Sequence, residues 1–200
     1  MKYRYTIHQE EKAYRGFFKF NRYHVSFEKF AGGFIENVTR ECAKKGDIVS
    51  VLPYDPTRQT FLMVEQFRIG MVVRQEHPWT LEVVAGFMDV AGETPEQTAK
   101  RELAEETGCQ AIALYPLIRY YPSPGGSATQ NHVFVATVDS SQALEHTGII
   151  EEGEDIRVHK VHLSTMTEKL RKGEINNSTA IIALQQFFMK NQAQELQNNI

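Results

Sequence analysis

The segment that most restricts this chain is TPEQTAKRELAEETG, residues 94–108. Its start and stop signals belong to one helix. Thr94 is a good N-cap, Pro95 takes the first helical position, Glu96 and Gln97 fill the first turn, and Gly108 stands just past the end. The pattern predicts a helix over 94–107. Glu102, Glu105 and Glu106 then fall at i, i+3 and i+4 on one face, while Ala99 and Leu103 turn toward a core. Like charges at that spacing repel, and in the C-terminal half of a helix the macrodipole adds to the repulsion. Such a face invites cations or nearby basic groups, and Lys100 and Arg101 supply part of that compensation. Taken alone, the helix reads as a solvated glutamate face.

Composition bounds what surrounds the helix. With 200 residues the chain holds one large domain, or one with a small appendage, and can bury a core without disulfides or a structural metal. Lys plus Arg number 22 and Asp plus Glu 25, for a net charge of −3, so no broad basic field exists for nucleic acid or anionic lipid. The two cysteines, Cys42 and Cys109, do not make a disulfide framework. No apolar run of about 18 residues is present, and the start MKYRYTIHQEEKAYRGFF lacks a secretory h-region. The expectation is a cytoplasmic protein with no membrane and no nucleic-acid partner.

The first 40 residues are dense in aromatics that alternate with polar residues, as in Tyr3-Arg4-Tyr5-Thr6-Ile7. This reads as short strands with period two, turned at Gly32-Gly33. Residues 1–43 are expected to form a small antiparallel sheet that must pack on the main domain or on a second subunit. Residues 44–200 form the main domain. Strands are expected at 47–54 and 61–67, joined as a hairpin through Asp55-Pro56-Thr57, and at 79–85, ended by Gly86. More strands follow at 111–121, 132–138 and 156–163. A helix capped by Ser164 runs to about 172, and a last one spans about 178–194. Mixed strands with one early and two late helices argue an α+β or α/β sandwich, with a mixed sheet between helices.

The spacing around the helix carries a resemblance. Gly86 is followed by six residues, Glu93, seven residues, and then Arg101-Glu102-Leu103-Ala104-Glu105-Glu106-Thr107-Gly108-Cys109. This resembles the Nudix box: Gly, five residues, Glu, seven residues, Arg-Glu-apolar-x-Glu-Glu-x-Gly-apolar. The departure is one extra residue between Gly86 and Glu93, in a loop that absorbs insertions at low cost. The resemblance implies the Nudix fold, an α/β/α sandwich, and hydrolysis of a nucleoside diphosphate linked to another group. A diphosphate cannot approach ionised glutamates unaided. Hard divalent cations resolve the conflict, and carboxylate oxygens suit Mg²⁺, with Mn²⁺ as a substitute. By resemblance Glu102 and Glu106 are the principal metal ligands, the carbonyl of Ala85 faces a metal, and Glu105 is either a ligand through water or a group that supports the ligands from behind. Arg101 and Glu93 pair to orient the glutamates.

Two further segments resemble the ADP-ribose diphosphatase branch of that family. Ser123-Pro124-Gly125-Gly126 follows the box at the expected distance. The run Glu151-Glu152-Gly153-Glu154-Asp155 before a strand matches an acidic loop that supplies a general base, at Glu152, and an extra metal ligand, at Glu154. The assignment among Glu151, Glu152 and Glu154 stays open. The resemblance extends over about residues 12–190. It implies a homodimer with the N-terminal sheet exchanged, Phe17 and Phe18 against the adenine, and Arg40, Glu41 and Lys45 on polar groups of the nucleotide. It also implies Arg68 on phosphate, Phe87 lining the pocket and Ser123 near the terminal ribose. Lys45 stands where an arginine is usual, so a bidentate contact becomes a point charge. The implied reaction is Mg²⁺-dependent cleavage of ADP-ribose to AMP and ribose 5-phosphate. Another nucleotide sugar such as GDP-mannose, or a non-catalytic nucleotide sensor, are the alternatives.

Other chemistry is poorly supported. His159 and His162 alternate on a strand without Cys or His partners at zinc spacing. Ser123 lacks a G-x-S-x-G elbow, and Cys109 at a helix end reads as packing.

Overall fold

The computed structural model describes residues 3–198, with side chains for all of these except Glu152 and 192–198. Among the described residues no helix is long and apolar enough to cross a membrane. The chain divides into two compact units. One takes the N-terminus to Asp47 together with Tyr121–Gln130, and the other takes Ile48–Tyr120 with Asn131 onward. Sequence alone placed a boundary between 43 and 44 and gave no reason to group residues 121–130 with the N-terminal sheet.

The first unit is an antiparallel meander of β1 (Tyr5–Arg15), β2 (Lys19–Glu28) and β3 (Phe34–Ala43). The alternating aromatics do form strands, of 11, 10 and 10 residues, which is longer than expected. Gly32 and Gly33 turn the β2–β3 corner at φ 82° and 74°, angles open to glycine at no steric cost. Residues 121–130 are tied to the end of β3. Ala43 N–H donates to the Gly126 carbonyl at 2.8 Å, and Gln130 N–H donates to the Asp47 carboxylate at 2.9 Å. Among the described residues of this unit only Asn21 and Ser26 are buried, and both are polar.

The second unit is a sheet of order β10-β11-β5-β4-β9-β8, with β6 added to β5 and β7 to β4. The strands are β4 (Ile48–Asp55), β5 (Thr60–Phe67), β6 (Trp79–Glu82), β7 (Val84–Phe87), β8 (Ala113–Tyr120), β9 (Asn131–Thr137), β10 (His146–Thr147) and β11 (Ile156–His162). β4 runs parallel to β9 and antiparallel to β5 and β7, so the sheet is mixed. The helices are α1 (Ile69–Val73), α2 (Pro95–Thr107), α3 (Leu163–Lys172) and α4 (Ser178–Asn198).

Period two along the strands builds two cores. Val49, Val51, Leu62, Val64, Phe134 and Ile156 pack with Ala99 and Leu103 of α2. Leu52, Phe61, Met63, Val133 and Val161 pack with Met166 of α3 and Ala180, Ala183 and Leu184 of α4. The sheet therefore lies between α2 on one face and α3 with α4 on the other, the expected sandwich.

Three local expectations change. The β4–β5 hairpin pairs only at Tyr54↔Phe61 and Asp55↔Thr60, because the strands diverge and β6 and β7 take up the ladder bonds beyond. The apolar run 79–85 is accordingly two strands, and Gly86 lies inside β7 rather than ending it. The N-cap of α3 is His162, whose Nδ1 accepts from Ser164 N–H, instead of Ser164. The short apolar α1 carried no recognisable helix signal.

Candidate active site

Helix α2 is fixed at both ends. Thr94 Oγ1 accepts from Gln97 N–H at 3.3 Å and Gln97 Oε1 accepts from Thr94 N–H at 2.8 Å, a closed capping box. Gly108 ends the helix at φ 74°, with its N–H on the Ala104 carbonyl at 2.9 Å. Between these ends Ala99 and Leu103 are fully buried against the sheet, which sets the rotation of the helix. That rotation presses the glutamate face onto β7.

The glutamates are not a solvated face. Glu106 is 4% exposed, and its Oε2 accepts from Ala85 N–H at 3.3 Å. Its own carbonyl accepts from Thr147 Oγ1 at 2.6 Å, which ties β10 to the helix. Glu102 crosses β7 at Gly86, where a Cβ would run into the Glu102 carboxylate, so only glycine admits the carboxylate in that position. Burial pushes the Glu106 carboxyl well above the ordinary range, and the charges of Glu102 and Glu154 push it further. Ala85 N–H and Arg68 act in opposition. Burial also raises Glu102, against the pull of Arg101.

Arg101 gathers the remaining carboxylates. Its Nε lies 3.3 Å from both Glu93 oxygens, and its Nη1 lies 2.7 Å from Glu102 Oε1 and 3.1 Å from Glu105 Oε2. The expected Glu93–Arg101 pair is therefore present despite the extra residue. A turn closed by Glu93 N–H on the Val90 carbonyl, with Gly92 at φ 87°, absorbs the insertion and leaves Glu93 in reach.

Arg68 leaves the end of β5 and is held by Glu82 of β6, with Nε to Oε1 and Nη2 to Oε2 both at 2.9 Å. Thr80 Oγ1 donates to the same Glu82 Oε1. The Glu82 bond raises the Arg68 pKa, against burial, and the charges of Glu106 and Glu154 add to the rise. Arg68, Glu102, Glu106 and Glu154 thus share one electrostatic neighbourhood. Thr80 and Glu82 were missed from sequence. Their signal was the polar alternation T-x-E inside an otherwise apolar strand.

Among the described residues no three His, Cys, Asp or Glu side chains already converge as a metal cage. Arg101 holds Glu102 and Glu105 instead. The donor set still fits a hard divalent cation. It is all oxygen, and a carboxyl raised first by burial and then by two like charges is the arrangement that a cation between them relieves. The side chain expected as general base, Glu152, lies outside the described residues; its backbone sits in a 3₁₀ turn, residues 150–152.

The other expected substrate contacts divide between the units. Phe87 lies in β7, opposite Ile48. In the first unit Phe17 is 71% exposed and meets Phe18 edge-on at 5.1 Å, and Lys45 Nζ lies 2.9 Å from the Phe17 ring centroid. Arg40 and Glu41 lie on β3, where Glu41 pairs with Arg22 at 3.0 Å and Arg40 Nη1 bonds the Thr39 carbonyl at 2.9 Å. The Ser123 carbonyl accepts from Ser127 N–H at 2.9 Å.

Comparison with known proteins agrees with this geometry. Residues 44–179 match the NUDIX domain. An ADP-ribose pyrophosphatase of Haemophilus influenzae is 40% identical over 179 residues, covering 88% of this chain and 82% of that protein. One of Escherichia coli K12 is 36% identical over 183 residues, covering 92% and 87%. A GDP-mannose pyrophosphatase of Salmonella arizonae is 31% identical over 151 residues, covering 75% and 78%. A crystal structure described as an ADP compounds hydrolase superposes with a TM-score of 0.73 at 20% identity over 95% of both chains, which shows a shared fold. With the box intact from Glu93 to Cys109 and folded against β7, the chain is a member of the Nudix hydrolase family.

Proposed function

We propose that the protein hydrolyses ADP-ribose to AMP and ribose 5-phosphate with Mg²⁺ as the working cation. The reading is carried by the buried Glu106 beside Glu102 and Glu154, in a chain 36–40% identical over most of its length to proteins named ADP-ribose pyrophosphatase. The GDP-mannose relative covers less of the chain at lower identity, which favours ADP-ribose.

In this reading Glu102, Glu106, Glu154 and the Ala85 carbonyl hold the divalent cation. When bound, such an ion neutralises the diphosphate and lowers the pKa of a water. Arg101 fixes the glutamates through Glu93, and Glu105 acts at one remove. Arg68 takes a phosphate oxygen, and Glu152 accepts the proton of the attacking water. Phe17 and Phe18 stack the adenine, with Arg40, Glu41 and Lys45 on the nucleotide. Phe87 lines the pocket and Ser123 sits by the terminal ribose. The first unit serves dimerisation and nucleotide contact, and the second carries the chemistry. The assembly is a homodimer with exchanged N-terminal sheets, located in the cytoplasm.

Glu106→Gln keeps the shape of the side chain and removes its charge. It is expected to lower kcat with ADP-ribose and Mg²⁺ by roughly 10³-fold or more at an unchanged thermal midpoint. Glu152→Gln is expected to lower it by about 10²–10⁴-fold. Undiminished turnover in Glu106→Gln defeats the metal-site reading, and faster hydrolysis of GDP-mannose than of ADP-ribose defeats the substrate.

A further inference from the structure

Arg68 is fixed in orientation through both its side chain and its main chain. Period two along β5 puts Arg68 on the same face as Val64 and Gln66, the face that packs toward α2. On β6, Glu82 stands opposite Val64 and Thr80 opposite Gln66, so both present their side chains on that face beside Arg68. The main chain is pinned too, since Arg68 N–H donates to the Pro78 carbonyl at 2.8 Å.

The carboxylate of Glu82 grips one edge of the guanidinium, Nε with Nη2, at 2.9 Å each. A guanidinium has five N–H donors in a rigid fork. With the Nε edge taken, the end edge formed by Nη1 and the second Nη2 proton remains to meet a planar or tetrahedral oxyanion. Glu82 is largely buried and Thr80 is 5% exposed, and the Thr80 hydroxyl fixes the Glu82 oxygen that bonds Nε. Arg68 also feels the charges of Glu106 and Glu154. Without Glu82 as anchor, the long side chain would be drawn to those carboxylates and compete with a cation there.

We infer that Glu82, held by Thr80, is a positioning residue that aims the end edge of Arg68 at a substrate phosphate and keeps it off the metal-site glutamates. The inference rests on the phosphate-binding role given to Arg68 above. Glu82 touches no reacting atom. Its removal therefore weakens substrate binding more than the chemical step.

The test is steady-state hydrolysis of ADP-ribose with Mg²⁺ by the full chain, with thermal melts as a check on folding. Glu82→Gln is expected to raise KM roughly ten- to a hundredfold, the range of one charged hydrogen bond, with kcat within about threefold. Thr80→Val is expected to raise KM by less, and Thr80→Ser, which keeps the hydroxyl, to match the wild type. In an Arg68→Ala background Glu82→Gln is expected to add nothing, because its partner is gone. A raised KM in Arg68→Ala with an unchanged KM in Glu82→Gln overturns the positioning role alone. So does an equal factor from Glu82→Gln in both backgrounds. An unchanged KM in Arg68→Ala overturns the phosphate contact of Arg68 and this inference with it.

Discussion

Asp55 shows how one buried charge is made stable away from the site. It is 1% exposed and ends β4. Its Oδ1 accepts from Thr57 N–H at 2.9 Å and Arg58 N–H at 3.0 Å, which shapes the turn into β5. Its Oδ2 accepts from Ser140 N–H at 2.9 Å, Ser140 Oγ at 2.7 Å and Arg58 Nη1 at 2.8 Å. Burial raises this carboxyl, but the bonds from Ser140 and Arg58 outweigh it and hold the pKa well below the ordinary 3.8. Arg58 is half exposed, so the fixed backbone and hydroxyl donors carry most of the effect. Asp55→Asn points an NH₂ group at donors, and is expected to cost about 2–4 kcal/mol at pH 7. Because the folded-state pKa is depressed, the stabilisation is fully present above the unfolded value near 3.8 and is lost as pH falls from there toward the lower folded value. Urea unfolding at pH 7 and pH 3 checks both parts. The gap between wild type and Asp55→Asn is expected to narrow at pH 3, and a constant gap would show that ionisation is not its source.

At the scale of elements, the site is the meeting of α2 with β7. The helix was legible because its signals are local: Thr94, Pro95 and Gly108 act within a turn of their own positions. The strands were legible where a short apolar run gives the signal, as in β5 and β9. What sequence concealed depends on pairing at a distance. Nothing in the run 79–85 says that it splits between β5 and β4, because no turn residue interrupts it. Nothing in three glutamates at i, i+3 and i+4 says that Glu106 is buried while Glu105 is not; that follows from how Ala99 and Leu103 seat the helix. The roles of Thr80 and Glu82 depend likewise on the β5–β6 register. Gly86 is where the Glu102 side chain of the helix lies against the strand, and it yields a prediction of its own. Gly86→Ala drives a methyl into the Glu102 carboxylate, whose end can swing aside. Stability is expected to change by no more than about 1 kcal/mol, since β7 tolerates alanine. Turnover is expected to fall on the order of 10²-fold, because a displaced ligand weakens the metal site. Kinetics and a thermal melt on the same sample separate the two. A variant that melts early but turns over normally contradicts the role given to this glycine.

At the scale of the whole molecule, the first unit carries large apolar side chains that stay exposed. Register places Tyr5, Phe27 and Ile35 in one row across the meander, and Ile7, Val25 and Val38 in the next, all on one face. Tyr5 is 73%, Ile7 53% and Ile35 37% exposed. A three-stranded sheet whose buried side chains are Asn21 and Ser26 lacks the apolar burial that stabilises such a sheet in water. An apolar row of this kind marks an interface, and a second copy is the partner proposed here, because an exchanged sheet covers both copies at once by the same contacts. Sedimentation at micromolar concentration is then expected to give twice the 22.9 kDa chain mass. Tyr5→Lys with Ile7→Lys places two charges in each copy of the interface, and is expected to shift the dimer to monomer while the second unit keeps its fold. If nucleotide contacts are shared across the dimer, KM for ADP-ribose rises as the dimer dissociates. A wild-type chain that sediments as a monomer, with these residues exposed and full activity, would leave the sheet without the partner assigned to it.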